Sequence, residues 1–199
     1  MITGSRRLDS YLSRLPGGLD AHPGCRAKGS LVRNLVDDVA AQLVLAELPA
    51  PLRSLAEDPP VETEWVPEVH FVALLLALAD HRALTDLQTL AWVRERNRLL
   101  FASPLYRMLI AVASPASLLR IGAGRWANFH RGSTLEVEGI ADDGVRVVLR
   151  YPPGLFDRLL LRIFAESFGV ALELSRGRDP RVRLEEERPG FARYRGTWE

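Results

Sequence analysis

The hydrophobic rhythm of this chain changes once, at Gly132. Before it, apolar residues recur every three or four positions; after it, they recur every second position. A chain with one such seam folds as helices followed by pleated strands, so the class expected is α+β. Within the pleated half one segment keeps the helical period. Leu155, Phe156, Leu159, Leu160, Ile163, Phe164 and Phe168 fall on one stripe, with Asp157, Arg158, Arg162 and Glu166 opposite. Each of those large groups is worth roughly 1.5–3 kcal/mol if fully buried, so the stripe needs a partner surface.

The strands supply it. Leu135 and Val137 alternate with Thr134, Glu136 and Glu138. After the Asp142-Asp143-Gly144 turn, Val145, Val147, Leu149 and Tyr151 alternate with Arg146 and Arg150. Pro152-Pro153-Gly154 breaks the strand, and a helix over 155–168 is expected to end at Gly169. Val170 to Leu174, Val182 to Leu184 and Phe191 to Trp198 read as further strands. The expected sheet is mainly antiparallel in ββαββ order, with mixed charges paired across its outer face.

Upstream, Ser30 is a candidate N-cap for a helix carrying Leu31, Leu35, Val39 and Leu43. Pro67 suits the first turn of a helix whose Phe71 to Leu78 run is apolar nearly all round. Thr85-Asp86 opens another, with Leu87, Leu90, Ala91, Val93 and Leu100 inward. Ser103-Pro104 and Ser114-Pro115 open two more, the last running to about His130. Met1 to Lys28 is an N-terminal arm. Residues 29–199 form one α+β domain: a layer of four to five helices (29–131) packed on the ββαββ module (132–199).

A chain of 199 residues, 47% hydrophobic and 26% charged, can bury a core without metal or disulfide staples. The net charge of +1 gives no global case for nucleic acid or an anionic membrane. The longest apolar run is about half a membrane span, so no membrane crossing is expected. Lone Cys25 and a polar N-terminus argue for a cytoplasmic protein. Lys28 is the only lysine; an arginine-dominated positive charge suits bidentate anion contacts or reflects GC-rich codons.

No residue pattern forces a chemistry. His22 and Cys25 make at most half a zinc site. His70 and His81 read as helix-end residues or as ligands. Arg120, Arg125, Asn128, His130 and Arg131 with Trp126 and Phe129 form a basic-aromatic segment, suited to a phosphate or to salt bridges with Glu136 and Glu138. Gly122 and Gly124 allow close helix packing or leave room for a ligand. Phosphate-cradling loops and nucleophile elbows are missing from the sequence.

The run Gly124-Arg125-Trp126 to Gly132, the hairpin, the helix ending in Phe168-Gly169 and the closing Tyr194-Arg195-Gly196-Thr197-Trp198 resemble the Myxococcus paralogous family, a domain of unknown function. More distantly, helices followed by ββαββ resemble the superfamily of four-vinyl-reductase-type domains, TRAPP vesicle-tether subunits and haem-NO-binding domains. The resemblance spans Gly29 to Trp198 and implies a sensing or adaptor role, by fold analogy alone. Haem-binding members hold iron with a helical histidine, for which His70 and His81 are the internal candidates; their tyrosine-serine-arginine propionate clamp has no counterpart here, nor do the clustered cysteines of vinyl-reductase-type domains.

The expected function is a non-catalytic regulatory or sensor-like domain without a cofactor. It would bind an apolar small molecule between helices and sheet, in a pocket of His70, Leu74, Met108, Gly122, Gly124, Trp126 and Phe164. The alternative is a protein–protein interaction module acting as a homodimer, with no ligand. An enzyme lacks its convergent acid, base or nucleophile set.

Overall fold

The computed structural model describes residues 6–36, 48–101, 115–141, 144–174 and 178–199. The chain divides into two compact units, one of residues 1–89 with 128–132, the other of residues 90–127 with 133–199.

The first unit is built around α4 (Glu68–His81), whose ten buried residues leave it almost no polar face. A helix apolar all round must be enclosed, and it is. Helices α1 (Arg6–Ser13), α2 (Gly29–Val36) and α3 (Ala50–Glu57) all pack on it. The N-terminal arm is part of this packing: Leu8 and Tyr11 of α1 are buried, and Arg7 binds Asp80 at 2.8 Å and Asp86 at 2.9 Å. A three-stranded sheet, which sequence periodicity does not foretell, joins distant segments. Its strands β1 (Arg26–Lys28), β2 (Trp65–Pro67) and β3 (His130–Arg131) pair antiparallel in the order β2-β1-β3. Two glycines permit the close approaches around it. A Cβ on Gly29 would stand 2.2 Å from the Val61 carbonyl oxygen. Gly132, at φ +80, would drive one to 2.6 Å from Cys25 Sγ.

In the second unit β4 (Thr134–Ala141), β5 (Gly144–Arg150), β6 (Arg181–Arg188) and β7 (Phe191–Thr197) form an antiparallel sheet of order β4-β5-β7-β6. Together with α7 (Arg158–Glu173) they give the expected ββαββ order. Helix α7 packs on β6 and β7, and α6 (Pro115–Arg125) packs on β4 and β5. Outward charges pair across strands as expected, Arg193 with Glu138 at 2.8 Å and with Glu186, and Arg146 with Glu185 at 3.2 Å.

Several boundaries differ from the sequence reading. Helix α7 begins three residues late because Asp157 is its N-cap: its backbone is extended and its Oδ1 accepts the Leu160 N–H at 3.1 Å. The helix then runs through Gly169, so Val170 to Glu173 are helical rather than a strand. Val170 and Leu172 are fully buried, and a short apolar run fits either period until its neighbours decide. Helix α6 stops at Arg125 rather than His130; a 3₁₀ turn follows at Trp126–Asn128. In α5 (Asp86–Phe101), Leu90 and Val93 are buried, whereas Leu87 is 71% exposed and Ala91 is exposed too. Thr85 and Gln88 cap α5 reciprocally, Gln88 Oε1 accepting the Thr85 N–H at 2.8 Å. Pro67 closes β2, one residue before α4, and α2 starts at Gly29 rather than after Ser30. The expected helix from Ser103, the second half of the helix from Ser30, and the Asp142-Asp143 turn lie outside the described residues.

Candidate functional site

Each unit holds one unusual group of side chains. In the first it is polar. Glu68 opens α4 and is 1% exposed; His130 on β3 is buried beside it, its Nδ1 at 3.1 Å from both carboxylate oxygens. Cys25 lies next to them. Its backbone carbonyl accepts the Glu68 N–H at 3.0 Å, and its thiol donates to the Gly132 carbonyl at 3.7 Å. Burial, then the Glu68 charge, pushes the Cys25 thiol up, which keeps it protonated and a poor nucleophile. The node ties residues far apart in sequence and orients no reactive atom. Sequence spacing assigns Glu68 and His130 to separate helices; only their pairing across the small sheet brings them together.

In the second unit the group is aromatic. Trp126, Phe164, Phe156 and Tyr151 form a row with ring centroids 5.4, 5.0 and 5.0 Å apart. A branch runs from Trp126 to Phe168 (6.4 Å) and on to Tyr194 (5.2 Å). Edge-to-face spacing of this kind adds about 0.5–1.5 kcal/mol per pair beyond the area buried. Trp126 is fixed by its indole N–H, which donates to Ser133 Oγ at 2.9 Å. Tyr194 is fully buried and its hydroxyl has no hydrogen-bond partner. Burial, then the nearby Tyr151 and Glu187, holds that phenol well above its ordinary range. Burial, then Glu187 and Asp157, pushes Tyr151 up to about 12. The row ends at a concavity of about 350 Å³ lined by Tyr151, Gly154, Phe156, Arg158, Leu161 and the turn at Glu187. A smaller hollow of about 140 Å³ lies at the other end of the sheet, beside Gly139 and Arg195.

Of the pocket residues expected from sequence, Trp126 and Phe164 are in contact within this row. Gly122 and Gly124 lie exposed on α6 with nothing within 4 Å of where a Cβ would be. His70 and Leu74 stand on α4 in the first unit, and Met108 is outside the described residues. Neither concavity is lined by His70, Leu74, Gly122 or Gly124. Nor do the arginines of 120–131 meet Glu136 and Glu138, the salt bridges that the sequence allows. Glu138 holds Arg193, and Arg131 lies over Trp65.

Compared with solved structures, the chain aligns along most of its length with H-NOX domains. An oxygen-binding H-NOX domain related to soluble guanylate cyclases, in its oxygen complex, matches at a TM-score of 0.58 and 14% identity, over 86% of this chain and 92% of that one. The Fe(II) unliganded H-NOX protein from K. algicida matches at 0.59 and 12% identity, over 86% and 96%. A point mutant of the T. tengcongensis H-NOX domain matches at 0.57 and 14%, over 86% and 97%. The fold is the H-NOX fold. No protein-family model matches the sequence, and no curated protein matches it either. The sequence resemblance to haem-NO-binding domains therefore holds at the level of fold; the one to the Myxococcus paralogous family has no matching model behind it.

Haem is implied by this fold, and the donor atoms of the chain decide whether it fits. An axial ligand must offer a free donor atom toward open space. His130 is buried, its Nδ1 is committed to Glu68, and it has a further partner besides. His70 is half-buried and hydrogen-bonded to the Leu19 backbone. His81 is exposed at the end of α4 and has a partner. His22 Nε2 is buried without a partner, yet His22 sits in a turn at φ 52 and lines neither concavity. The Cys25 thiol is buried and held protonated. The described residues of the H-NOX fold in this chain do not fit a haem iron. Among them, no group of three or more histidine, cysteine or acidic residues could hold a metal, and no helix is long and apolar enough to cross a membrane.

Proposed function

We propose that this chain is a non-catalytic, sensor-type domain that takes a small apolar molecule with one hydrogen-bonding atom in place of haem. The observation that carries the reading is the aromatic row ending at the 350 Å³ concavity, with the unpartnered Tyr194 hydroxyl on its branch. The concavity has the size of a small-molecule site, with Tyr151, Phe156 and Leu161 as an apolar wall and Arg158, Glu187 and Arg188 as charged groups beside it. A buried hydroxyl without a partner costs about 1–3 kcal/mol, which a ligand's polar atom would relieve. Trp126 and Phe164 stand behind the concavity as the continuation of its aromatic row, Phe164 against the lining residue Phe156. His70 and Leu74 stand in the first unit and Met108 lies outside the described residues, so none of the three is assigned to this site. The structures of like fold include an oxygen complex and a haem of adjustable redox potential. From that likeness of fold we infer small-molecule binding for this chain, without the haem.

Native mass spectrometry of the full chain tests this. A small-molecule adduct lost on denaturation, and weakened by Phe156→Ala, is the expected result. An adduct-free spectrum, together with no thermal shift from a panel of apolar ligands, removes the proposal. Expression with added haem should give no Soret band. A band abolished by His22→Ala or His70→Ala overturns the exclusion of haem.

A further inference from the structure

The three-stranded sheet of the first unit has two unlike faces. Ala27, Val66 and His130 are buried on one. By the alternation of strand residues, Arg26, Lys28, Trp65, Pro67 and Arg131 fall on the other. The register sets Arg26 directly opposite Arg131 and Lys28 directly opposite Trp65. Lys28 Nζ lies 4.3 Å from the Trp65 ring centroid, and the Arg131 guanidinium carbon 3.9 Å from it. Among the described residues none of these three cations forms an ion pair; Asp20, whose charge reaches His70 along with that of Arg26, is not paired with Arg26.

That arrangement is costly as it stands. Like charges directly opposite on antiparallel strands repel. Several arginines elsewhere are neutralised, Arg7 by two aspartates, Arg94 by Glu166 and Glu173, and Arg193 by Glu138 and Glu186, although among the described residues Arg183 also stands outside any ion pair, opposite Arg195. With 25 acidic residues in the sequence, carboxylates are not scarce. Two of the three are held in place: cation–π contact fixes the heads of Lys28 and Arg131 at one ring, while Arg26 lies on the strand between β2 and β3.

We propose that this face is an oxyanion site for a phosphate monoester group. Two guanidinium forks and one ammonium match a tetrahedral dianion in charge and in donor geometry, and the Trp65 edge offers an apolar shoulder for whatever carries the phosphate. A soluble phosphomonoester and the head group of phosphatidic acid present the same chemistry. The site is independent of the aromatic row, which belongs to the other unit.

The test is thermal unfolding of the full chain in rising inorganic phosphate, against sodium chloride at equal ionic strength. The wild type should show a saturable rise in Tm with phosphate alone. Arg26→Gln and Arg131→Gln should each weaken binding about tenfold, or about 1.4 kcal/mol. Both should raise Tm in phosphate-free buffer, because each removes a like-charge opposition; a misfolded variant cannot do that. Arg183→Gln, an exposed cation on β6, should bind phosphate as the wild type does. Co-sedimentation with phosphatidylcholine vesicles containing phosphatidic acid, competed by inorganic phosphate, assigns a lipid source; phosphate binding without co-sedimentation assigns a soluble one. A response that chloride reproduces, no saturable response, or unchanged affinity in both arginine variants overturns the site.

Discussion

His70 and Tyr194 show how a single buried polar group shapes behaviour. Burial lowers the His70 pKa below its ordinary 6.5, against the opposing pull of the Leu19 backbone and Asp20, and with a further lowering from Arg26. The folded state thus favours neutral His70. Its contribution to stability is fully present above pH 6.5 and is lost as pH falls from 6.5 through the lower folded-state value. Urea unfolding at about pH 7.5 and about pH 5.5, above and below the ordinary 6.5, should therefore show a larger acid loss for wild type than for His70→Gln; equal losses would falsify the assignment. Tyr194 raises the opposite question, of a group present without a partner. Tyr194→Phe removes the orphan hydroxyl and keeps the ring against Phe168. The ligand-free protein should gain about 1 kcal/mol. The ligand isolated with the wild type should bind the variant more weakly. A loss of stability would mean that the hydroxyl is satisfied in solution.

At the scale of elements, α7 shows what the sequence makes legible and what it hides. Its apolar stripe is plain in the spacing from Leu159 to Phe164, and the stripe is buried on β6 and β7 as the sheet pattern requires. Its ends are not plain. Asp157 reads as an outer-face charge, because capping depends on backbone geometry that spacing does not reveal. Gly169 reads as a stop. In the structure its missing side chain lets the Arg94 guanidinium lie alongside, where it binds Glu166 at 2.6 Å and also Glu173. A Cβ there would stand 3.5 Å from Arg94 Nη1, an ordinary contact with a flexible partner. Gly169→Ala should thus stabilise by about 0.5–1 kcal/mol, the usual gain for alanine over glycine inside a helix. Chemical denaturation decides it, and a loss of comparable size would mean that the Arg94 network tolerates no displacement. The candidate sites are half legible for the same reason. Trp126 and Phe164 share an apolar logic visible in sequence. The Glu68–His130 pair, the row of Arg26 against Arg131, and the Tyr194 hydroxyl arise from pairings between segments tens of residues apart, which no local period encodes.

For the molecule as a whole, the route of the chain matters more than any one contact. It leaves the first unit after Thr89 and returns for only five residues, 128–132, before leaving again. Those five include β3, the edge strand beside β1, and His130, the partner of buried Glu68. A buried carboxylate stripped of its partner costs roughly 3–5 kcal/mol, a large part of a small domain's total stability. The first unit therefore cannot be freed by cutting at its contiguous boundary. A fragment of residues 1–89 keeps α1 to α4 and nearly the whole apolar core around α4, yet it should fail to give dispersed amide resonances. In the full chain, His130→Ala should lose about 3 kcal/mol or more in urea unfolding, while the aromatic row of the second unit keeps its near-ultraviolet signature in the folded baseline. A well-folded 1–89 fragment would mean that the return strand only decorates the unit, and that Glu68 finds water or another donor once His130 is gone.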